Sequence, residues 1–308
     1  MRAGASRCWQ SSRLAIDALD ALTPKNRIGG SRRWASVALV APAVAIAAFV
    51  VVGGIGMSIV QSVGLMPLVG EARFSLDAYF AHAGELLTGL GLSLAIATAS
   101  TVLSCVIGLT AAVIITQGRT TGRLVAALSA LTIPVPHLIG AAAVGLLISD
   151  AGVLPRMLRI DGADWPDLVG GTWWVAVAFE YIWKESAFVA LVVAGVLASR
   201  VARYDETAAL LGASRARRLR HIVIPLATPA VIVSAIIIFA YTFGSYEVAW
   251  LLGRPYPEPL PVLAFRLFDA VSLTSRPEAA AVAVITTTVS LIVVTLGIAL
   301  LRRTPLWR

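Results

Sequence analysis

Lysine is almost missing from this chain: its 308 residues hold Lys25 and Lys184 and no other. Neither has a glycine-rich approach, so the Gly-x-x-x-x-Gly-Lys-Ser/Thr cradle is absent and the chain lacks the usual means of holding ATP. Cysteine is as scarce. Cys8 lies in a polar amino-terminal segment and Cys105 inside an apolar run, which excludes a disulfide framework. His82, His137 and His221 are scattered, so there is neither a zinc-ligand spacing nor a nucleophile beside a base; no catalytic residue, metal site or cofactor is expected in this chain. Charge is thin as well, at 14% of residues against 58% hydrophobic. A soluble domain of this length needs far more polar surface to cover its core, so the chain belongs in a bilayer. The net charge of +8 invites a nucleic-acid reading. The arginines, however, gather between apolar runs, with no aromatic-interleaved basic face and no nucleic-acid module, and that partner is excluded.

What is present is six apolar runs. They cover Trp34 to Val60, Leu86 to Thr116, Leu124 to Ser149, Thr172 to Ser199, Pro225 to Leu252 and Ala279 to Leu301. At ~1.5 Å per residue each is long enough to cross a ~30 Å hydrocarbon core. The second is rich in Gly, Ala, Ser and Thr, which suits close helix packing inside a bundle. The third carries Pro134 and Pro136, which free backbone carbonyls and kink it. The chain therefore divides into an amino-terminal segment 1–33, a six-helix domain 34–301 with a basic loop at 200–224, and a tail 302–308. Within the first segment Leu14, Ala15, Ala18 and Leu22 stand at helical spacing, as in an interfacial helix or an overlong start. It does not read as a cleaved signal.

Basic residues set the orientation. Eighteen lie in the amino-terminal segment, the turn at Arg119 and Arg123, the loop at 200–224 and the tail. Six lie on the other side: Arg73, Arg156, Arg159, Arg254, Arg266 and Arg276. Both termini and the basic loop are expected in the cytoplasm.

That loop carries the strongest signal. Val201, Tyr204, Ala208 and Leu211 are three, four and three apart, which makes one apolar stripe on a short helix. Gly212 ends it, because glycine takes the left-handed conformation that reverses a helix end. Ala216, Leu219 and Val223 start a second stripe, and Pro225 opens the next long helix, where a missing N–H costs nothing. The expected product is a bent helix pair bearing Arg200, Arg203, Arg215, Arg217, Arg218 and Arg220. For its charge alone, such a loop could simply rest on anionic lipid.

The order and gaps say more. Glu206, Ala208, Gly212, Ala213, Ile222, Ile224 and Pro225 reproduce the spacing of a family signature: Glu-Ala-Ala, three residues, Gly-Ala, then an aliphatic, one residue, aliphatic-Pro. Thr207 replaces the first Ala, and Leu219 stands where an aromatic is common. Over roughly residues 85–301 the chain resembles the inner-membrane permease subunits of binding-protein-dependent ATP-binding-cassette importers. The resemblance implies an all-α, six-span permease of the type I fold in a bacterial inner membrane. It further implies a second permease (the same chain or another), separate ATPase subunits that bind the ATP, and a periplasmic solute-binding protein. In that family the bent loop docks on the ATPase, which assigns the contact to Glu206, Ala208, Gly212, Ala213, Arg215, Leu219 and Pro225. Glu206 is expected to brace the two short helices against Arg215 or Arg218, or else to be solvated.

A second group of residues concerns the transported solute. Charges within spans are costly and usually face a partner or a wet cavity. Glu180 and Lys184 are four apart and can neutralise each other; Glu185 and Glu247 have no partner at such spacing and are expected nearer an interface. The fifth run ends in Tyr241, Phe243, Gly244, Ser245, Tyr246, Glu247 and Trp250, which suits an interfacial aromatic belt. Together with Leu251 to Pro257 and Leu260-Pro261-Val262, the same stretch resembles the spermidine/putrescine subgroup of these permeases. Aromatic faces beside a carboxylate attract an organic ammonium. Glu180, Tyr241, Phe243, Tyr246, Glu247 and Trp250 are thus the candidate solute path, for a polyamine or another small amine. The alternative is an ion-coupled secondary transporter, whose folds show inverted repeats. No repeat is evident here, and the bent loop has no task in such a machine.

Overall fold

The structure is a computed structural model that describes residues 31–116, 118 and 120–302, without the side chains of 31–36, 199–203, 205 and 206. The expectations for residues 1–30, Arg119 and the tail beyond Arg302 lie outside the described residues. Contacts divide the chain into two units, Met1–Gly54 and Ile55–Arg308. In the first unit, helix α1 (Ser31–Ser62) begins; it contains Pro42, and its side chains from Val37 to Gly54 are apolar or small and exposed.

The second unit is all helical among the described residues. After α1 ends, α2 (Asp77–Phe80) leads into α3 (Ala83–Thr116), then α4 (Thr120–Thr132), α5 (His137–Ile148) and α6 (Val153–Leu158). A long α7 (Val175–Leu210) follows, then α8 (Arg215–Arg218), a π turn (Leu219–Val223), α9 (Ile224–Gly244), α10 (Glu247–Leu252), α11 (Leu260–Asp269) and α12 (Arg276–Arg302). Among the described residues, six stretches are long and apolar enough to cross a membrane: Val37–Ser62, Ala83–Thr116, His137–Leu158, Val175–Ala198, Arg215–Gly244 and Leu273–Arg302.

Helices α3 and α7 form the centre. Small residues bring them together: Ser93, Ala97, Ser100, Ser104, Gly108 and Ala112 are buried along α3. A Cβ on Gly108 would meet Val189 Cβ at 2.5 Å and the Ser186 carbonyl oxygen at 2.7 Å, so only glycine admits this approach. One apolar cluster packs Ala112 of α3 with Val189, Val193 and Leu197 of α7 and Ala227 and Ile238 of α9. Gly297 of α12 lies against Ile236 of α9 in the same manner.

Three boundaries differ from those read in the sequence. The third apolar run is not one kinked span, because the chain leaves helical geometry between Thr132 and His137. Pro136 has no N–H for the Thr132 carbonyl, and prolines disfavour helix at the residue before them. The span is instead His137–Leu158, built from α5 and α6. The fifth run breaks at Ser245, whose backbone is extended at ψ 135°, so α9 and α10 are separate helices. The fourth span does not hand over to a new short helix near Ser199. α7 runs on through the arginines to Leu210, roughly 54 Å at ~1.5 Å per residue.

Candidate functional site

The elbow at the end of α7 is built by backbone hydrogen bonds. Gly212 has φ +80°; its N–H donates to the Ala209 carbonyl at 3.0 Å, and the Ala213 N–H donates to the Ala208 carbonyl at 3.0 Å. These two bonds are the Schellman closure of a helix end, with glycine at its left-handed position. Ser214 then starts the return arm: its backbone is extended, and its hydroxyl accepts the Arg217 N–H at 3.4 Å. The return arm is continuous with the fifth span, not a separate short helix as the spacing suggested. Pro225 cannot donate to the His221 carbonyl, and the ladder takes up the defect as the π turn between α8 and α9.

The elbow exposes apolar side chains. Leu210 and Leu211 are 89% and 83% exposed, Tyr204 and Leu219 are exposed beside them, and Arg215, Arg217 and Arg220 are exposed on the return arm. Ala208 and Ala213 are half-buried within the turn. The Glu206 backbone lies in the last turns of α7, while its side chain, like those of Val201, Arg200 and Arg203, is outside the described residues.

The second site lies where the helices break. His137 opens α5, and Glu180 on α7 is fully buried beneath it. The ring Nδ1 donates to Glu180 Oε1 at 3.1 Å, and Nε2 faces Glu185 Oε1 at 3.5 Å. One imidazole therefore stands between two carboxylates that follow each other by five residues on α7. Lys184 does not neutralise Glu180, as their spacing had allowed. Its Nζ donates to the Thr132 carbonyl at 3.3 Å and to the Val135 carbonyl, the backbone acceptors at the proline break. Polar groups in a span need partners, and here each element supplies the other's. Glu185 is buried against His137.

From this cluster the contacts lead outward. The Tyr241 ring sits 4.6 Å from His137, tilted by 40°, and its hydroxyl donates to Glu247 Oε1 at 3.5 Å. Tyr241 is 37% exposed and Glu247 partly so. Of the six candidate path residues, the structure thus links Glu180, Tyr241 and Glu247 through His137, one of the three scattered histidines. Tyr246 instead stacks on Phe265 of α11 at 4.9 Å, and Trp250 is exposed on α10. Phe243 is 1% exposed, packed with Phe239, Leu260 and Leu263, and offers no open face to a solute. No sequence spacing could pair His137 with Glu180 or Glu185, because the partners lie on different helices.

The far end of the bundle is fixed by a separate ionic network. Arg266 of α11 binds Glu85 at 2.5 Å and Glu258 at 2.6 Å, and His82 binds Glu278 at 3.1 Å. Ser93 accepts the Leu260 N–H at 2.9 Å, which seats α11 on α3.

Comparison with known proteins places this geometry. The family model described as "Binding-protein-dependent transport system inner membrane component" matches residues 104–304. No protein of curated function matches the chain. Among solved structures, a bacterial ABC transporter involved in the import of the acidic polysaccharide alginate superimposes with a TM-score of 0.67 at 19% identity, over 89% of this chain and 100% of that one. The bacterial alginate ABC transporter in complex with an alginate pentasaccharide-bound periplasmic protein gives 0.69 at 19% identity, over 91% and 98%. The MetNI methionine ABC transporter in inward-facing conformations gives 0.58 at 16% identity, over 73% and 98%. At these identities the likeness concerns the fold.

Proposed function

Because the chain belongs to the family of binding-protein-dependent transport system inner membrane components, we propose that it lines the translocation path of an ATP-driven importer and docks a separate ATPase through the elbow at Gly212. The exposed Leu210 and Leu211, held out by a Schellman turn between basic arms, carry this reading. Exposed leucines on a rigid tip are costly to leave in water and favourable to bury in a partner cleft. The arginines of the return arm suit an acidic rim. A second permease, ATPase subunits and a periplasmic solute-binding protein complete the assembly, with both termini of this chain in the cytoplasm of a bacterial cell. Gly212→Asp places a carboxylate at the tip against that acidic rim. It abolishes transport and the stimulation of ATP hydrolysis while membrane insertion is unchanged; undiminished uptake in reconstituted vesicles contradicts the docking role.

For the solute, the chemistry of this chain favours a small amine or polyamine. Glu180 and Glu185 both face His137 inside the bundle. Glu247 is the carboxylate left over, partly exposed and held by the aromatic hydroxyl of Tyr241. A carboxylate beside an aromatic face attracts an ammonium by Coulomb and cation–π terms. Glu247→Gln weakens uptake affinity for amines in transport assays with the complete importer, and an unchanged affinity and selectivity removes the amine assignment.

A further inference from the structure

The imidazole of His82 is held between two carboxylates from different helices. Its Nδ1 faces Glu85 Oε1 at 3.3 Å in the first turn of α3, and its Nε2 faces Glu278 Oε2 at 3.1 Å in the first turn of α12. Glu85 binds Arg266 of α11 through its other oxygen, and Arg266 also reaches Glu258. Of the charged groups flanking this set, Asp77 of α2 and Asp269 of α11 are exposed, and the Arg276 guanidinium lies over the Phe268 ring at 3.9 Å. The side chains of His82, Glu85 and Glu278 are 31%, 33% and 25% exposed, so water and protons reach them. Ser104 of α3 donates to the Ile182 carbonyl and Gly108 lies against Ser186, so α3 runs parallel to α7 and its start is at the end of the bundle opposite the elbow.

A carboxylate oxygen only accepts hydrogen bonds, whereas a neutral imidazole has one N–H and one lone pair. Whichever nitrogen keeps the proton, the other then turns a lone pair on a carboxylate. The doubly protonated ring alone donates to both Glu85 and Glu278. Its charge matters to the whole set as well: with it, two cations meet the carboxylates of Glu85, Glu258 and Glu278, and without it Arg266 faces all three. Imidazole is the side chain whose charge ordinarily changes between pH 5 and 8. We propose that His82 is a proton-operated clasp, which ties the start of α3 to the start of α12 while both ring nitrogens carry protons and releases it when one proton is lost. The turn that the clasp holds is a packed one. Ala279, Ala280, Ala281 and Val282 directly after Glu278 are buried, and Ala279 and Val282 share an apolar cluster with Leu86 of α3. Release of Glu278 lets this turn open locally.

The test uses the full-length chain in nanodiscs, with Cys8→Ser and Cys105→Ser in the background. It compares the rate at which N-ethylmaleimide labels Ala280→Cys with the rate for the exposed Thr274→Cys, a ratio that cancels the pH dependence of the thiol itself. Ala279→Cys serves as a second buried reporter. With His82 in place the ratio rises about fivefold from pH 6 to pH 8, the effect of two partly exposed ion pairs. His82→Gln gives the high ratio at both pH values, whereas His82→Arg, a fixed cation, gives the low ratio at both. Glu278→Gln keeps the ring but removes its partner on α12, and it too gives the high ratio throughout. A ratio indifferent to pH with His82 in place overturns the proposal. So does a pH response that survives His82→Gln or Glu278→Gln, or a His82→Arg variant that behaves like His82→Gln, since a ring that merely packs would not separate the two.

Discussion

A Cβ on Gly140 would stand 2.8 Å from Oε1 of Glu180 and 3.3 Å from Cδ of Lys184. A side chain at that position would press on the buried carboxylate and on the stem of Lys184. Gly140→Ala is therefore expected to destabilise the protein by ~1–3 kcal/mol through overpacking. Gly91→Ala, which meets nothing within 4 Å, shows no such loss; thermal unfolding of the two purified variants in detergent makes the comparison. His137 is the more exacting case. Leaving a buried acceptor without its hydrogen-bond partner costs about 1–3 kcal/mol, and more for a charged group. His137→Ala strands Glu180 and Glu185 together, and the folded yield in membranes falls sharply. Adding Glu180→Gln to that variant restores part of the yield, since a neutral amide needs no counter-ion. A double variant as poor as the single one assigns the ring a packing role instead.

At the scale of the element, the elbow and the proline break follow different logic. Six apolar runs and a glycine after a helical stripe were enough to anticipate six spans and a reversal at Gly212, because hydropathy and left-handed backbone are properties of single segments. The continuity of α7 was not legible. Arginines after residue 199 mark the end of an apolar run, yet the hydrogen-bond ladder of a helix is indifferent to whether its side chains face lipid or water. The break between α9 and α10 was hidden for the reverse reason: apolar character persists across Ser245 while the backbone turns. The ionic site needed the fold itself, since its acids come from α7 and its imidazole from α5. The elbow offers an element-level test. Asparagine tolerates left-handed backbone and a β-branched residue does not, at ~1–2 kcal/mol for the strained conformation. Gly212→Asn keeps most of the ATPase stimulation by the solute-loaded binding protein, and Gly212→Val loses it. Equal activity of the two variants shows that the positive φ is not needed for coupling.

For the whole molecule, the two sites lie on the same long helix. Glu180 and Glu185 belong to the apolar, membrane-length part of α7, and Gly212 comes two residues after its last residue, Leu210. On the proposed docking role, a displacement at the elbow would pass along this helix to Glu180 and Glu185, which face His137 beside Tyr241. The chain has no phosphate-binding loop of its own, so in this account the energy enters at the elbow from another polypeptide. The direct measurement is solute uptake into liposomes holding the purified permease, with its partner permease and binding protein supplied, in the presence and absence of the ATPase subunit and ATP. Accumulation is expected only when both are present. Accumulation against a gradient by the permease without any ATPase contradicts it.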